Sequence, residues 1–150
     1  MPQSFSSLQY HLIFSTKDRA PLITSEIRDR IYGYIGGIIS KNIGVLLITG
    51  GTNDHIHLLL EMKRDISMSD AVRLIKSNSS KWINEELKTP QRFAWQAGYA
   101  VFTVSKSVLP KVTSYIKNQE EHHKKLTYRD EVLLFLEEYG LPYDENYMWG

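Results

Sequence analysis

Hydrophobic residues along the chain recur with the period of a β-strand in some segments and with that of an α-helix in others. The order of these segments predicts the order of strands and helices. Branched and aromatic residues dominate four short runs, which favours β-strands over residues 8–15, 45–49, 55–62 and 99–105. Apolar residues recur every three to four positions in three longer runs, which predicts amphipathic helices over residues 25–41, 67–87 and 108–123. A last short helix is predicted over residues 128–139, because Gly140 and Pro142 follow it as stop signals.

Local signals support several of these boundaries. Gly50-Gly51-Thr52-Asn53-Asp54 has a turn-forming composition, so the second and third strands should form an antiparallel hairpin. Ser67 is a candidate helix N-cap with Asp70 three residues further on. Ser107 is a second N-cap candidate, with Pro110 tolerated in the first turn of the helix that follows.

The order strand, helix, strand, strand, helix, strand is that of a ferredoxin-like domain. We therefore predict an α+β fold with an antiparallel βαββαβ sheet. Residues 1–150 should form a single domain with a core at 8–106, a helix at 108–124 and an acidic C-terminal extension at 126–150. The two core helices should cover one sheet face. The other face then needs cover from the C-terminal helices, a partner subunit or nucleic acid.

Composition narrows the classes of function. The chain contains no cysteine, which excludes disulfides, thiolate metal sites and a cysteine nucleophile. The net charge of +1 hides an uneven distribution, because residues 126–150 carry −5 and residues 1–125 carry +6. A basic face for phosphates and an ordinary solvated surface are both compatible with that split. We expect a cytoplasmic protein, since the N-terminus lacks a signal peptide pattern and no apolar run approaches the ~20 residues of a membrane span.

Candidate chemistry lies in two segments. In Asp54-His55-Ile56-His57 the histidines are two residues apart, so in a strand both imidazoles leave the same face and can bind one metal ion. Such a pair also occurs as packed, hydrogen-bonded histidines. In Tyr115-Ile116-Lys117-Asn118-Gln119 a phenol and an amide lie one helical turn apart, so Gln119 can supply an oxygen ligand while Tyr115 faces the same place. The alternative for Tyr115 is a core aromatic residue with a solvated hydroxyl.

The chain resembles the small single-tyrosine transposases of bacterial insertion sequences, which belong to the HUH (His-hydrophobe-His) endonuclease superfamily. Four ordered motifs carry the resemblance, namely Tyr10-His11-Leu12-Ile13-Phe14-Ser15-Thr16-Lys17-Asp18-Arg19, Asp54-His55-Ile56-His57, Trp95-Gln96-Ala97-Gly98-Tyr99 and Tyr115-Ile116-Lys117-Asn118-Gln119. The acidic segment Leu126–Gly150 departs from the pattern, because shorter members lack it.

The resemblance implies a DNA transposase that cleaves and rejoins single-stranded DNA at element ends marked by hairpins. His55, His57 and Gln119 would then hold Mg²⁺ or Mn²⁺, and Tyr115 would attack the scissile phosphate to give a 5′-phosphotyrosine. It also implies a homodimer whose active sites can be shared between subunits, with a hinge near residues 105–107. His122 and His123 we interpret as a helix-end pair favoured by the helix dipole.

Basic side chains at strand ends and on the second helix are candidates for contacts to the DNA backbone: Lys17, Arg19, Arg73, Lys76, Lys81 and Lys106. Two alternatives to the transposase remain at this point. One is a domesticated relative that cuts hairpins without mobilising itself. The other is a non-catalytic ferredoxin-like module that binds nucleic acid, in which His55 and His57 only pack.

Overall fold

A computed structural model describes residues 2–146 and 148–149 of the chain. These described residues form four strands: β1 (Gln9–Ser15), β2 (Gly44–Gly51), β3 (His55–Met62) and β4 (Ala100–Thr103). The same residues form five α-helices: α1 (Ser25–Asn42), α2 (Met68–Trp82), α3 (Leu109–Lys117), α4 (Gln119–His122) and α5 (Tyr128–Glu138). In the described part of the chain, no helix is both long and apolar enough to cross a bilayer.

The strands form one antiparallel sheet in the order β2-β3-β1-β4, which confirms the predicted α+β fold. The β2-β3 hairpin is also confirmed, with a tighter connection than expected because β2 continues to Gly51. Strand β3 is central and buried along nearly its whole length. Side chains that are two residues apart on β3 therefore lie on the same face of the sheet, and most of them are buried.

Helices α1 and α2 cover one face of the sheet. Even-numbered residues of the central strands, among them Leu12, Phe14, Ile56 and Leu58, pack there with the apolar stripes of both helices. The N-cap prediction for α2 is confirmed, since the Ser67 hydroxyl accepts a hydrogen bond from the Asp70 amide. This layer is an ordinary hydrophobic core, and it holds no part of the histidine pair.

The opposite face is covered by the C-terminal helices of the same chain. Helix α3 packs through Ile116 on Leu59, and α5 packs through Tyr128 and Val132 on Ile13 and Phe102. Helix α5, which belongs to the acidic extension, thus packs directly on the sheet. A β-bulge between Leu46 and Ile48 turns Leu46 toward α1 and α2 and Ile48 toward α3, so that β2 contributes to both layers.

Three local predictions differ from the structure. The helix predicted over residues 108–123 is interrupted at Asn118 (φ −99°, ψ 25°), and α4 starts immediately after it. Ser107 does not cap α3, which begins at Leu109 after a 3₁₀ turn over Lys106–Val108. The predicted 67–87 helix ends at Trp82 and continues as one wider π-helical turn over Ile83–Leu87. In each case a helix is present, but its start, its continuity or its last turn differs from the prediction.

Candidate metal centre and nucleophile

The two histidines of the Asp54-His55-Ile56-His57 segment project from the same face of β3 and are fully buried. Their rings lie 5.2 Å apart between centroids. The face is the one covered by α3 and α5, because residues 55, 57 and 59 alternate with the core residues 56, 58 and 60. Because side chains alternate between the two faces along a strand, both imidazoles lie in the layer that contains Tyr115.

Hydrogen bonds at Nδ1 orient both rings. His55 Nδ1 lies 2.8 Å from Asp54 Oδ1 and 3.0 Å from the Thr52 hydroxyl. His57 Nδ1 lies 2.7 Å from Nε2 of His11, a buried histidine on the neighbouring strand β1. When Nδ1 carries the proton in each bond, Nε2 presents a lone pair to the space between the rings. An imidazole held at Nδ1 by a carboxylate or another acceptor is the usual arrangement of a metal-binding histidine.

Tyr115 and Gln119 both reach this space, as the segment Tyr115–Gln119 predicted. Gln119 is buried, and its Oε1 lies 3.1 Å from His55 Nε2. The Tyr115 ring lies 6.0 Å from that of His57 between centroids and stacks on His122. The break at Asn118 does not separate the two side chains, because α4 continues close to the same site.

Glu131 stands at the centre of the site, and sequence analysis missed it. Its Oε1 lies 2.9 Å from His57 Nε2, 3.0 Å from His123 Nε2 and 3.4 Å from His55 Nε2. Its Oε2 accepts hydrogen bonds from the Tyr115 hydroxyl and, at 3.0 Å, from the Gln119 amide. His123 does lie at the end of a helix, as the interpretation of a helix-end pair expected, but its ring also turns inward onto this carboxylate.

The electrostatics of the cluster follow from burial and these contacts. Burial works against the charged form of Glu131, but hydrogen bonds from His123, His55 and His57 hold its pKa far below the usual range. Burial lowers the pKa of His57 to about 4 and that of His11 to about 3, so both rings are neutral near pH 7. For His55, bonds to Asp54 and Glu131 outweigh burial and raise the pKa to about 9. In the arrangement described, Glu131 faces one imidazolium.

The phenol of Tyr115 keeps its proton in this arrangement. Burial, followed by the hydrogen bond to the Glu131 carboxylate, raises the pKa of Tyr115 well above its ordinary value. A phenol in that state is a poor nucleophile. Attack on an electrophile therefore needs the phenol proton to be taken up during the step, or the negative charge of Glu131 to be offset.

The residues present fit a divalent cation. His55, His57, His123 and Glu131 each offer one ligand atom, and these four atoms all lie within 4.8 Å of one another. Imidazole nitrogens and a carboxylate oxygen are common ligands of transition metals. The Gln119 oxygen adds a fifth potential donor beside them.

The six basic side chains proposed to contact DNA do not form one patch. Lys17 and Arg19 lie in the turn after β1, and Arg19 lines an open groove that also includes Asp54 and His123. Arg73, Lys76 and Lys81 line a second groove, formed by α2 and the loop before β4 on the other side of the sheet. Lys106 is exposed ahead of α3.

Among these six, Lys76 has the most specific contacts. Its ammonium group donates to the backbone carbonyls of Gln96 at 2.8 Å and Gly98 at 2.6 Å. It also lies over the Phe14 and Tyr99 rings. Burial lowers its pKa to about 8. Lys76 thus fixes the loop before β4.

Comparison with known proteins decides the family. Residues 4–119 match the family model described as "Transposase IS200 like". The chain belongs to the IS200-like transposase family. It is 32% identical to the transposase of insertion sequence element IS200 from Salmonella typhimurium over 122 residues, which are 77% of this chain and 79% of that protein. It is 28% identical to the ISDra2 transposase TnpA of Deinococcus radiodurans, over 76% of this chain and 85% of that protein.

Solved structures of transposases share the fold. One from Deinococcus radiodurans superposes with a TM-score of 0.62 at 28% identity and covers 79% of this chain and 98% of its own. A second, a REP-associated tyrosine transposase bound to a REP hairpin, gives a TM-score of 0.62 at 10% identity, over 84% and 74% of the two chains, and supports the fold alone. The IS200-like match stops at residue 119, so His123 and Glu131 lie beyond it.

Proposed function

We propose that this IS200-like transposase cleaves and rejoins single-stranded DNA through a covalent tyrosine intermediate, with Tyr115 as the nucleophile. The observation that carries the proposal is the meeting of Tyr115, Gln119, His55 and His57 around one buried carboxylate. Phosphoryl transfer to a tyrosine requires a phenol as the nucleophile and a group, such as a bound cation, that stabilises the charge developing on the phosphate. Membership of a transposase family supplies the substrate class.

In the proposed reaction the Tyr115 oxygen attacks the phosphorus of the scissile phosphodiester. The bond to the 3′-oxygen breaks, that oxygen takes up a proton, and the phenol gives up its own. The products are a 5′-phosphotyrosine and a free 3′-hydroxyl. Because the phosphodiester energy is kept in the covalent link, another 3′-hydroxyl can reverse the step on a new strand without a nucleotide triphosphate.

Residues of the chain have separate tasks in this scheme. His55 and His57, with Gln119 as an oxygen donor, would hold a divalent ion, as proposed from the sequence, and His123 and Glu131 are further candidates. When bound, the ion neutralises charge on the phosphate under attack and lowers the cost of the charge that develops there. Asp54, Thr52 and His11 orient the rings, and Ile116 anchors the nucleophile's helix to the sheet.

For the partner, we propose single-stranded DNA carrying hairpins. A structural relative with the same fold is bound to a DNA hairpin. Two open grooves with basic walls are available, one beside His123 and one along α2. We propose backbone phosphate contacts for Lys17, Arg19, Arg73, Lys81 and Lys106, and for Lys76 only through the loop that it fixes. A homodimer remains part of the proposal, and each subunit has its own Tyr115 beside its own histidines.

The test is a cleavage assay on a hairpin-bearing single strand with Mn²⁺, resolved on a denaturing gel. The wild-type chain should give a covalent protein-DNA adduct, and Tyr115→Phe should give none while still binding the hairpin. Tyr139→Phe is a matched control, because Tyr139 lies on the same layer at a sheet edge and bonds only a strand carbonyl. An adduct of undiminished yield from Tyr115→Phe would refute the assignment. Loss of the adduct in both variants would point to damage to the fold.

A further inference from the structure

Two of the four residues that could bind a metal ion lie outside the part of the chain that matches the family. His55 and His57 lie within the matched residues 4–119, while His123 follows α4 and Glu131 lies on α5. The acidic segment that contains Glu131 was identified from sequence only as a departure from the resemblance. Its inward-facing carboxylate is 1% exposed.

A buried carboxylate needs a positive charge nearby, which for Glu131 can come from one of its histidines or from a bound cation. Its partners among the described residues are three histidines, one phenol and one amide, with no lysine or arginine. Removing such an anion from water is costly unless it is compensated. A divalent cation among the imidazoles would compensate it fully.

The spacing of the ligand atoms also suits an ion. In a tetrahedral site with bonds of about 2.1 Å, neighbouring ligand atoms lie about 3.4 Å apart. Glu131 Oε1 lies 2.9, 3.0 and 3.4 Å from the Nε2 atoms of His57, His123 and His55. Two of these distances are a few tenths of an ångström shorter than that spacing, and all four candidate ligand atoms lie within 4.8 Å of one another, so the cluster is close to the size of a metal site.

We propose that His123 and Glu131 complete the metal site of this chain, giving three imidazole nitrogens and one carboxylate, and that the site selects a transition metal such as Mn²⁺ over Mg²⁺. Imidazole nitrogen suits transition metals, whereas Mg²⁺ prefers oxygen donors and retains its waters. The biological role of this metal site rests on the proposed function, whereas the test of the site measures metal binding and does not depend on that function. It also assigns a task to α5, which is to bring a ligand to the metal and an acceptor to Tyr115.

Direct metal binding tests the proposal. Titration of the protein with Mn²⁺, followed by the electron paramagnetic resonance signal of the free ion, should show one tight site in the wild-type chain. Glu131→Gln keeps the size of the side chain and removes its charge, and we expect at least tenfold weaker Mn²⁺ binding. His123→Gln should weaken binding as well. Glu137→Gln, on the exposed face of the same helix, should bind like the wild type. Mg²⁺ in hundredfold excess should not displace Mn²⁺.

Three outcomes would overturn the proposal: wild-type Mn²⁺ affinity in Glu131→Gln, wild-type Mn²⁺ affinity in His123→Gln, or displacement of Mn²⁺ by Mg²⁺ at hundredfold excess or less. Circular dichroism of each variant, together with its melting temperature without metal, shows whether weaker binding comes from loss of the fold. Tyr115→Phe separates the two proposals, since it should bind Mn²⁺ normally and form no adduct. An adduct-forming Glu131→Gln with unchanged Mn²⁺ affinity would refute the metal site and leave the nuclease intact.

Discussion

Gly50 is the point at which the helix of the proposed nucleophile meets the sheet. A Cβ atom built on Gly50 would lie 2.3 Å from the Ile116 carbonyl oxygen and 3.0 Å from its Cγ2 atom. Ile116 follows Tyr115 directly and is fully buried against Leu59. Only a residue without a side chain lets β2 and α3 approach this closely.

Gly50→Ala should therefore push α3 away from the sheet. Ordinary contact requires a displacement of roughly 1 Å, and overpacking of this kind costs about 1–3 kcal/mol of folding free energy. Because Tyr115 moves with its helix, a misplacement of about 1 Å should reduce cleavage by about 10²-fold. Thermal denaturation measures the first effect, and the rate of adduct formation on a hairpin-bearing strand measures the second.

Gly37→Ala is the matched control. Gly37 lies in the exposed part of α1, and a Cβ there meets nothing within 4 Å. Replacing a helical glycine by alanine should stabilise the chain by up to about 1 kcal/mol and leave cleavage unchanged. If Gly50→Ala melts at the wild-type temperature and forms the adduct at the wild-type rate, then α3 does not dock on its own sheet as described.

Three further predictions concern other parts of the site. Tyr128→Phe removes the hydrogen bond from the phenol to Gln96 Oε1 (2.8 Å), so chemical denaturation should show a loss of about 1 kcal/mol in unfolding free energy. Arg73→Ala and Lys81→Ala should each weaken hairpin binding. Each phosphate that is no longer neutralised should also reduce the slope of log affinity against log salt concentration by about 1. Lys63 is exposed elsewhere on the surface, so Lys63→Ala should leave the slope unchanged. Mixing Tyr115→Phe with His57→Ala should restore no cleavage, because Tyr115 lies beside the histidines of its own chain; restored activity would show that subunits exchange the helix.

The sequence predicted what depends on local periodicity. The alternation along His55–Met62 placed both histidines on one face of a strand, and the hairpin composition of residues 50–54 indicated how that strand pairs. Tyr115 and Gln119, one turn apart, were expected at the same place, and they meet there. The Ser67 cap was also readable from its spacing to Asp70.

Glu131 could not be found in the same way. It lies among other acidic residues on α5, and its burial depends on how α5 packs against β1 and β4. One local signal was present: Glu131 lies one turn before Phe135 and next to Val132, on the side of α5 that is apolar. A carboxylate on the apolar side of a helix is a buried charge, and it therefore predicts a partner.

The break at Asn118 and the inward turn of His123 also depend on tertiary contacts. No proline or glycine marks residue 118, where the helix is interrupted between Ile116, which packs on the sheet, and Gln119, which contacts His55. His123 then reaches Glu131 across the gap between α4 and α5. These relations link residues from separate helices, so no window of sequence contains them.

Mapping the covalent adduct by mass spectrometry tests the central claim most directly. The wild-type chain is reacted with a hairpin-bearing single strand and Mn²⁺, the DNA is trimmed with nuclease, and the protein is digested with trypsin. We predict a nucleotide linked through its 5′-phosphate to Tyr115, in the peptide Val112–Lys117. Attachment to any other residue, or cleavage with no linked peptide at all, would contradict the account.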